Sequence, residues 1–223
     1  MGRAVALIAV LGAAAALAGT AWCAVDPRDP QQRHTAADTK LAQSLALRGT
    51  DLAAGWKAEK QQTGSGPACV GEPDESALVQ TAKIDPSFVW RDNVTRLGSQ
   101  VDVFQTAAMA RKDWDLSTLK LATSCLLQDA TAEFGKTVHV TLVSSQALAP
   151  PGHAERSLHF RLVLAVRSTQ TVRLVTDVVA LGRGRITVVL HSLTLTTTPL
   201  PASGLAQLAA KLAGRLDGGG IGI

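Results

Sequence analysis

The sequence contains no tyrosine, and aromatic residues make up only 4% of its 223 residues. Proteins that hold single-stranded nucleic acid stack the bases on aromatic side chains, so this scarcity argues against a nucleic-acid partner. The sequence also lacks a G-x-S-x-G nucleophile elbow, a phosphate-binding loop and an H-E-x-x-H motif. We therefore expect a protein without catalytic residues, metal or cofactor, whose function is binding.

The N-terminal segment 1–25 has the pattern of a targeting signal. Arg3 precedes an alanine-rich apolar stretch, 5–17, which small residues follow. This pattern predicts a signal peptide or, if it is not cleaved, a membrane anchor. Lipidation of Cys23 is a third interpretation. A lipoprotein signal has small residues just before the cysteine, and here the preceding residue is the bulky Trp22. Each reading predicts a protein outside the cytoplasm, either secreted or anchored at the cell envelope, with membrane proximity through this segment.

Two further regions follow the targeting segment. Residues 26–35 are polar and interrupted by prolines, which predicts a linker. Residues 36–223 provide enough apolar sequence for one well-filled core, so we expect a single domain there.

Cysteines are few, with Cys69 and Cys125 the two that follow the N-terminal segment. In an oxidising compartment two such thiols usually pair, and we predict a disulfide between them. On the chain-entropy model this bridge would stabilise the fold by roughly 4 kcal/mol. The alternative is a reactive Cys125 that works with a histidine.

Three strand-like runs occupy residues 156–198, joined by short turns at 168–170 and 182–184. Apolar residues alternate with polar ones in these runs, as in a half-buried sheet. In the third run the apolar residues move from even to odd positions. A one-residue change of phase is typical of a β-bulge, which we predict near His191 and Ser192.

The remaining periodicity predicts helices and strands around this meander. The fold class that follows is α+β: an antiparallel sheet with helices packed on one face, ending in a three-stranded meander and a helix. Apolar residues at helical spacing predict helices in 36–48, 107–134 and from Ser203 onward, and a helical turn in 75–82. Alternation predicts strands in 94–106 and 138–142.

Arginines are concentrated in the C-terminal meander, within a chain of net charge +4. Guanidinium groups bind phosphate and carboxylate in bidentate fashion. We predict an anion-binding face for an anionic envelope polymer, a lipid or a small ligand, and the alternative is an ordinary solvated surface. The predicted residues are Arg161, Arg167, Arg173, Arg183 and Arg185.

Three histidines, His139, His159 and His191, lie on predicted strands. A zinc site assembled across the sheet is one reading, because imidazole is a common zinc ligand. We favour the other reading, in which each is a separate strand residue and no metal binds.

Several short motifs resemble those of actinobacterial extracytoplasmic sensor-type domains, found on membrane serine/threonine kinases and in free-standing lipoproteins. They are D-L-x-x-G-W at 51–56, A-C-x-G at 68–71, V-x-V-F at 101–104, a helix with Trp114 and Cys125, and R-G-R at 183–185. The resemblance implies a PsbP-like fold with a cleft that binds ligands rather than catalyses. Our leading hypothesis is an exported, non-enzymatic protein that binds an envelope component or small ligand. The alternatives are a cell-wall hydrolase with unidentified carboxylates and a structural partner of a membrane complex.

Overall fold

A computed structural model describes residues 27–59, 73–91, 95–117, 123–124, 127, 139–150, 154–167, 170–195, 200 and 202–218. Within these residues the helices are α1 (Ala36–Leu45), a 3-10 turn (Gly49–Asp51), α2 (Ala107–Leu116) and α3 (Ala202–Gly218). The strands are β1 (Gln31–Gln32), β2 (Lys57–Ala58), β3 (Val79–Ile84), β4 (Ser87–Val89), β5 (Arg96–Phe104), β6 (His139–Leu148), β7 (Arg156–Arg167), β8 (Thr171–Arg183) and β9 (Ile186–Leu195). The predicted disulfide between Cys69 and Cys125 and the targeting segment 1–25 lie outside the described residues.

All nine strands belong to one sheet, with the order β1-β3-β5-β9-β8-β7-β6 and with β2 and β4 attached beside β5. Every pairing is antiparallel except that of β1 with β3. The α+β fold class and the C-terminal meander of β7, β8 and β9 followed by a helix are therefore confirmed. At the β8–β9 turn Gly184 has φ of 51°, a conformation that glycine adopts without steric cost.

The predicted bulge in β9 is wrong. The register of β9 against β8 and against β5 continues without a shift from Ile186 to Leu193. Ile186 and Leu190 belong to the main core on one face of the sheet, whereas Leu193 packs with Leu174 in a cluster on the other face. The apolar residues therefore move from even to odd positions because a different face of the sheet is covered toward the end of β9, while the strand itself stays regular.

Helices α1 and α3 cover one face of the sheet, which we call the α1/α3 face. Ala42 and Leu45 of α1 and Leu212 of α3 pack in the main core against strand residues such as Val101 and Val188. Leu212 is 1% exposed.

Helix α2 packs on the opposite face, which we call the α2 face, so helices lie on both sides of the sheet. Ala110 of α2 is buried against Phe104 of β5 and Leu78, in a small cluster separate from the main core. The Thr106 side chain accepts a hydrogen bond from the Met109 backbone N–H and begins the helix. The predicted helix 107–134 is thus observed as far as Leu116, and most of the rest lies outside the described residues.

The predicted helical turn in 75–82 is wrong from Val79 onward, because β3 begins there. The first four residues of β3 are all buried, so the segment lacks the polar–apolar alternation that would mark a strand. Gln31–Gln32, within the range predicted as a linker, pair with the start of β3. The Gln31 backbone N–H donates to the Leu78 carbonyl over 2.9 Å. None of the described helices has the length and apolarity that a membrane crossing requires.

Candidate functional site

A cleft of about 240 Å³ opens on the α1/α3 face, where α3 begins beside the ends of the outer strands. Strand β6 and the residue after it form one wall, the start of α3 forms the other, and β7 and β8 supply the floor. The lining residues are Leu148, Ala149, His159, Arg161, Asp177, Leu200, Leu205 and Ala206.

An ion pair between Arg161 and Asp177 forms the floor of this cleft. The two residues are direct partners in the β7–β8 register, which places their side chains together on one face. Arg161 donates from Nε to Oδ1 over 2.8 Å and from Nη2 to Oδ2 over 3.0 Å. This hydrogen bonding to Asp177 raises the pKa of Arg161 above its usual value. The pair is therefore bidentate and fixed in orientation before any ligand arrives.

His159 lies two residues before Arg161 and so projects to the same face. Its Nε2 is 3.2 Å from Oδ1 of Asp177, and its Nδ1 is 3.4 Å from the carbonyl oxygen of Ala149. Both partners are acceptors, so a neutral ring can donate to one of them and the imidazolium to both. The ring ties the loop after β6 to the charged floor of the cleft.

Two properties of the cleft define what it can hold. The Arg161 side chain is 38% exposed while that of Asp177 is 8% exposed, so the guanidinium is the part that a ligand can reach. Its Nη1 takes no part in the pair with Asp177. The walls are leucine and alanine. Together these features suit a small molecule with an apolar body and an anionic or hydrogen-bond-accepting group.

The lining residues include one carboxylate, Asp177. Glycoside hydrolysis by the common mechanisms needs two carboxyl groups on opposite sides of the scissile bond. Among the described lining residues Asp177 has no second carboxylate beside it, and its own carboxylate is engaged by Arg161 and His159.

Ser192, singled out from the sequence only as the place of a predicted bulge, lies near the floor of the cleft. It is the cross-strand partner of Asp177 in the β8–β9 register and is 1% exposed. Its Oγ has no hydrogen-bond partner among the described residues. The available signal was its even position, shared with the apolar Ile186, Val188 and Leu190 of the same strand, but its neighbour Asp177 became apparent only through the register.

Two more of the predicted arginines also pair with carboxylates, each with an acid on a helix. Arg185 holds Asp38 of α1, with Nη1 3.0 Å from Oδ2. Arg183 pairs with Asp217 at the end of α3. With Arg161, three of the five cations are therefore partly neutralised by neighbours that the sequence pattern did not reveal.

Arg167 and Arg173 are the two remaining arginines, and both are exposed without a carboxylate partner in the described part of the chain. They are diagonal neighbours on one face, because Arg173 lies opposite Ala165 in the register. Ten residues of β8 separate Arg173 from Arg183, which is about 33 Å along a strand. The five arginines thus do not form one continuous surface. An anion-binding face stays a prediction, and its unpaired cations are Arg167 and Arg173.

The three strand histidines do not come together. His159 and His139 project to the α1/α3 face, whereas His191 projects to the α2 face and lies over Gly98. Among the residues that the structure describes, no group of three or more metal-binding side chains converges. The zinc reading is therefore wrong for these three histidines.

A second set of titratable residues lies beneath α2, and sequence reasoning missed it. Burial, with a smaller contribution from Glu75 and Asp102, raises the pKa of Asp113 to about 7. Burial also raises the pKa of Asp102, although Gln80 and Gln100 donate hydrogen bonds to its carboxylate over 2.7 and 2.6 Å. The three acids come from separate segments, so only the folded chain brings them together.

Comparisons with known proteins find a weak similarity in fold and no related sequence. No family model matches the sequence, and no curated protein matches it. The extracellular domain of PknH from Mycobacterium tuberculosis is similar in structure, with a TM-score of 0.46 and 11% identity over 81% of this chain and 96% of that one. Cyanobacterial PsbP (CyanoP) from Synechocystis sp. PCC 6803 gives a TM-score of 0.42 and 12% identity, over 74% and 86% of the two chains. The resemblance to sensor-type and PsbP-like domains is confirmed as a diffuse match at low identity.

Proposed function

We propose that this chain is an exported, non-enzymatic domain that binds a small ligand or envelope component in the cleft between β6 and α3. The observation that carries this proposal is the pairing of apolar walls with one reachable guanidinium on a rigid floor. Binding sites for small molecules commonly combine a mostly apolar lining with a few fixed polar groups.

The fixed geometry of Arg161 is what favours binding of an anionic or accepting group. Because Asp177 and the strand register hold the guanidinium in place, little side-chain entropy is lost when a ligand binds to it. Asp177 also offsets its charge, which suits a ligand with one polar group rather than a densely charged polymer.

Export is the second part of the proposal, and its support is the pattern of residues 1–25. A basic residue, an apolar stretch and small residues in that order are typical of a signal peptide. Sequencing the N-terminus of the protein recovered from outside the cytoplasm tests it. A chain that remains in the cytoplasm would contradict this part alone.

Native mass spectrometry of the exported protein tests the binding proposal. We expect a co-purifying small molecule with an acidic or accepting group, and we expect Arg161→Gln to lose at least nine-tenths of it. Arg33→Gln is the matched control, because it removes the same charge from an exposed site outside the cleft lining and outside the predicted anion-binding face. Equal retention by both variants, or no bound molecule in the wild type, would count against the cleft.

A further inference from the structure

Strand β6 is an edge of the sheet in the part of the chain that the structure describes. It is the last strand in the order and pairs with β7 on one side, and no described strand pairs with its other side. Residues 141–147 are all exposed. An unpaired edge presents backbone N–H and C=O groups at which another strand can add.

The sequence of β6 lacks the charged residues and prolines that often protect an edge. His139–Leu148 reads HVTLVSSQAL, without lysine, arginine, aspartate, glutamate or proline. Natural sheets use such residues at their edges to prevent pairing with other chains. The strand does contain a bulge, because the register against β7 shifts between Leu142 and Ser144. This bulge leaves Val143 without a partner on β7.

The exposed apolar side chains of the described chain also lie on this strand. Leu142 is 36% exposed and Val143 is 47% exposed, and they are the large hydrophobic side chains found exposed among the described residues. An apolar pair at an open backbone edge provides both side-chain contacts and hydrogen-bonding groups to a partner.

The absence of charge favours a second copy of the chain as that partner. When two identical strands pair antiparallel about a two-fold axis, each side chain of β6 lies beside another side chain of β6. Like charges placed in this way would repel each other, and β6 carries none of the permanently charged residue types. Two copies of β6 can therefore pair in several registers without bringing like charges together.

We propose that β6 pairs antiparallel with β6 of a second copy, so that two sheets join into one across a two-fold axis. This interface uses the outer backbone edge of β6, and Leu148 at the end of the same strand also lines the cleft. Pairing of a single strand from each copy buries less surface than a standard interface, so we expect a weak dimer with a dissociation constant on the order of micromolar.

Sedimentation equilibrium of the exported protein across a range of concentrations tests the proposal. We expect the wild type to dimerise and Val143→Lys to weaken dimerisation at least tenfold, because the substitution replaces an exposed apolar side chain of β6 with a charged one in each copy. Ala210→Lys adds the same charge at an exposed position of α3 and should dimerise like the wild type. A wild type that stays monomeric at hundreds of micromolar, or a Val143→Lys variant as dimeric as the control, overturns the proposal.

Amide hydrogen exchange provides a second readout that does not depend on a substitution. We expect exchange within residues 140–148 to slow as the protein concentration rises, while exchange in β1, at the other end of the sheet, stays constant. Exchange in β6 that is independent of concentration in a dimerising sample would place the interface elsewhere and overturn the assignment.

Discussion

The two faces of the sheet hold their aspartates in opposite ways. On the α1/α3 face Asp38 and Asp51 are paired with arginines, whose hydrogen bonds lower the pKa of both carboxyl groups. On the α2 face Asp102 and Asp113 are buried beside other acids, which favours their protonated form. Ionised carboxylates therefore stabilise the fold on the α1/α3 face, whereas ionisation of Asp102 and Asp113 destabilises it on the α2 face.

The ion pairs of the α1/α3 face connect segments that are distant in sequence. A hydrogen bond from Arg185, the largest contribution, lowers the pKa of Asp38 to about 2. Burial alone would raise the pKa of Asp51, yet hydrogen bonds, first among them the one from Arg215, lower it to about 2. Arg215 lies on α3, so the second pair ties that helix to the turn after α1.

The largest effect is expected from the core of the α1/α3 face. Leu212→Ala removes a side chain that is fully buried between α3 and the sheet, and it should lower the free energy of unfolding by about 3 kcal/mol. Leu142→Ala removes the same atoms from an exposed site and should cost less than about 0.5 kcal/mol. Urea denaturation followed by circular dichroism measures both, and equal losses would show that α3 does not form the main core.

A smaller effect is expected when Asp38 loses its cation. Arg185→Met leaves this buried carboxylate without its partner and should lower the free energy of unfolding by about 2 kcal/mol at pH 7. Because the folded-state pKa of Asp38 is depressed, the stabilisation is present above pH 4 and is lost as the pH falls toward 2. The variant and the wild type should therefore converge in acid.

Arg183→Met is the matched control for that substitution. Arg183 also pairs with an aspartate, but both side chains are about half exposed, so solvent screens the interaction. Denaturation at pH 7 should show a loss below about 0.5 kcal/mol. A loss as large as that of Arg185→Met would mean that burial of the carboxylate does not decide the strength of these pairs.

The smallest effect is expected on the α2 face, and it has the opposite sign. The pKa of Asp113 is raised to about 7, so the folded chain holds a proton that the unfolded chain has released. Its contribution therefore makes stability fall as the pH rises from about 4 to 7. Asp113→Asn should remove this fall and make the protein about 1 kcal/mol more stable at pH 8.

Thermal unfolding between pH 4 and 8 measures this change of slope. Asp115→Asn, at an exposed position of the same helix, is the control and should keep the wild-type slope. A wild-type stability that does not fall over this range, or an Asp113→Asn variant with an unchanged slope, would contradict the contrast between the two faces.

Alternation of polar and apolar residues predicted the strands in which one side is more buried than the other. It missed strands that are buried on both sides. Alternation revealed β7, because Phe160, Leu162 and Leu164 are buried while their neighbours are half-buried. It failed for the start of β3, where successive residues are buried on both sides. In β9 the pattern was read as a bulge because sequence alone does not show which face is covered.

The candidate site was predicted in part for a similar reason. Arg161 was predicted from its residue type and its position on a polar side. Its bond to Asp177 depends on the exact β7–β8 register, and the walls depend on where α3 begins to cross the sheet. The pair of Arg185 and Asp38 spans 147 residues, a separation at which composition gives no information.

The parallel pairing of β1 with β3 limits how this domain would sit at a membrane. Because Gln31 is bonded to the sheet and the Arg28 carbonyl accepts a hydrogen bond from the Glu75 backbone N–H over 2.7 Å, an uncleaved anchor in residues 1–25 would leave a tether of two residues, 26 and 27. Fully extended, such a tether reaches at most about 7 Å. A retained anchor would therefore keep the β1 end of the molecule against the bilayer surface, whereas cleavage would free the domain to diffuse.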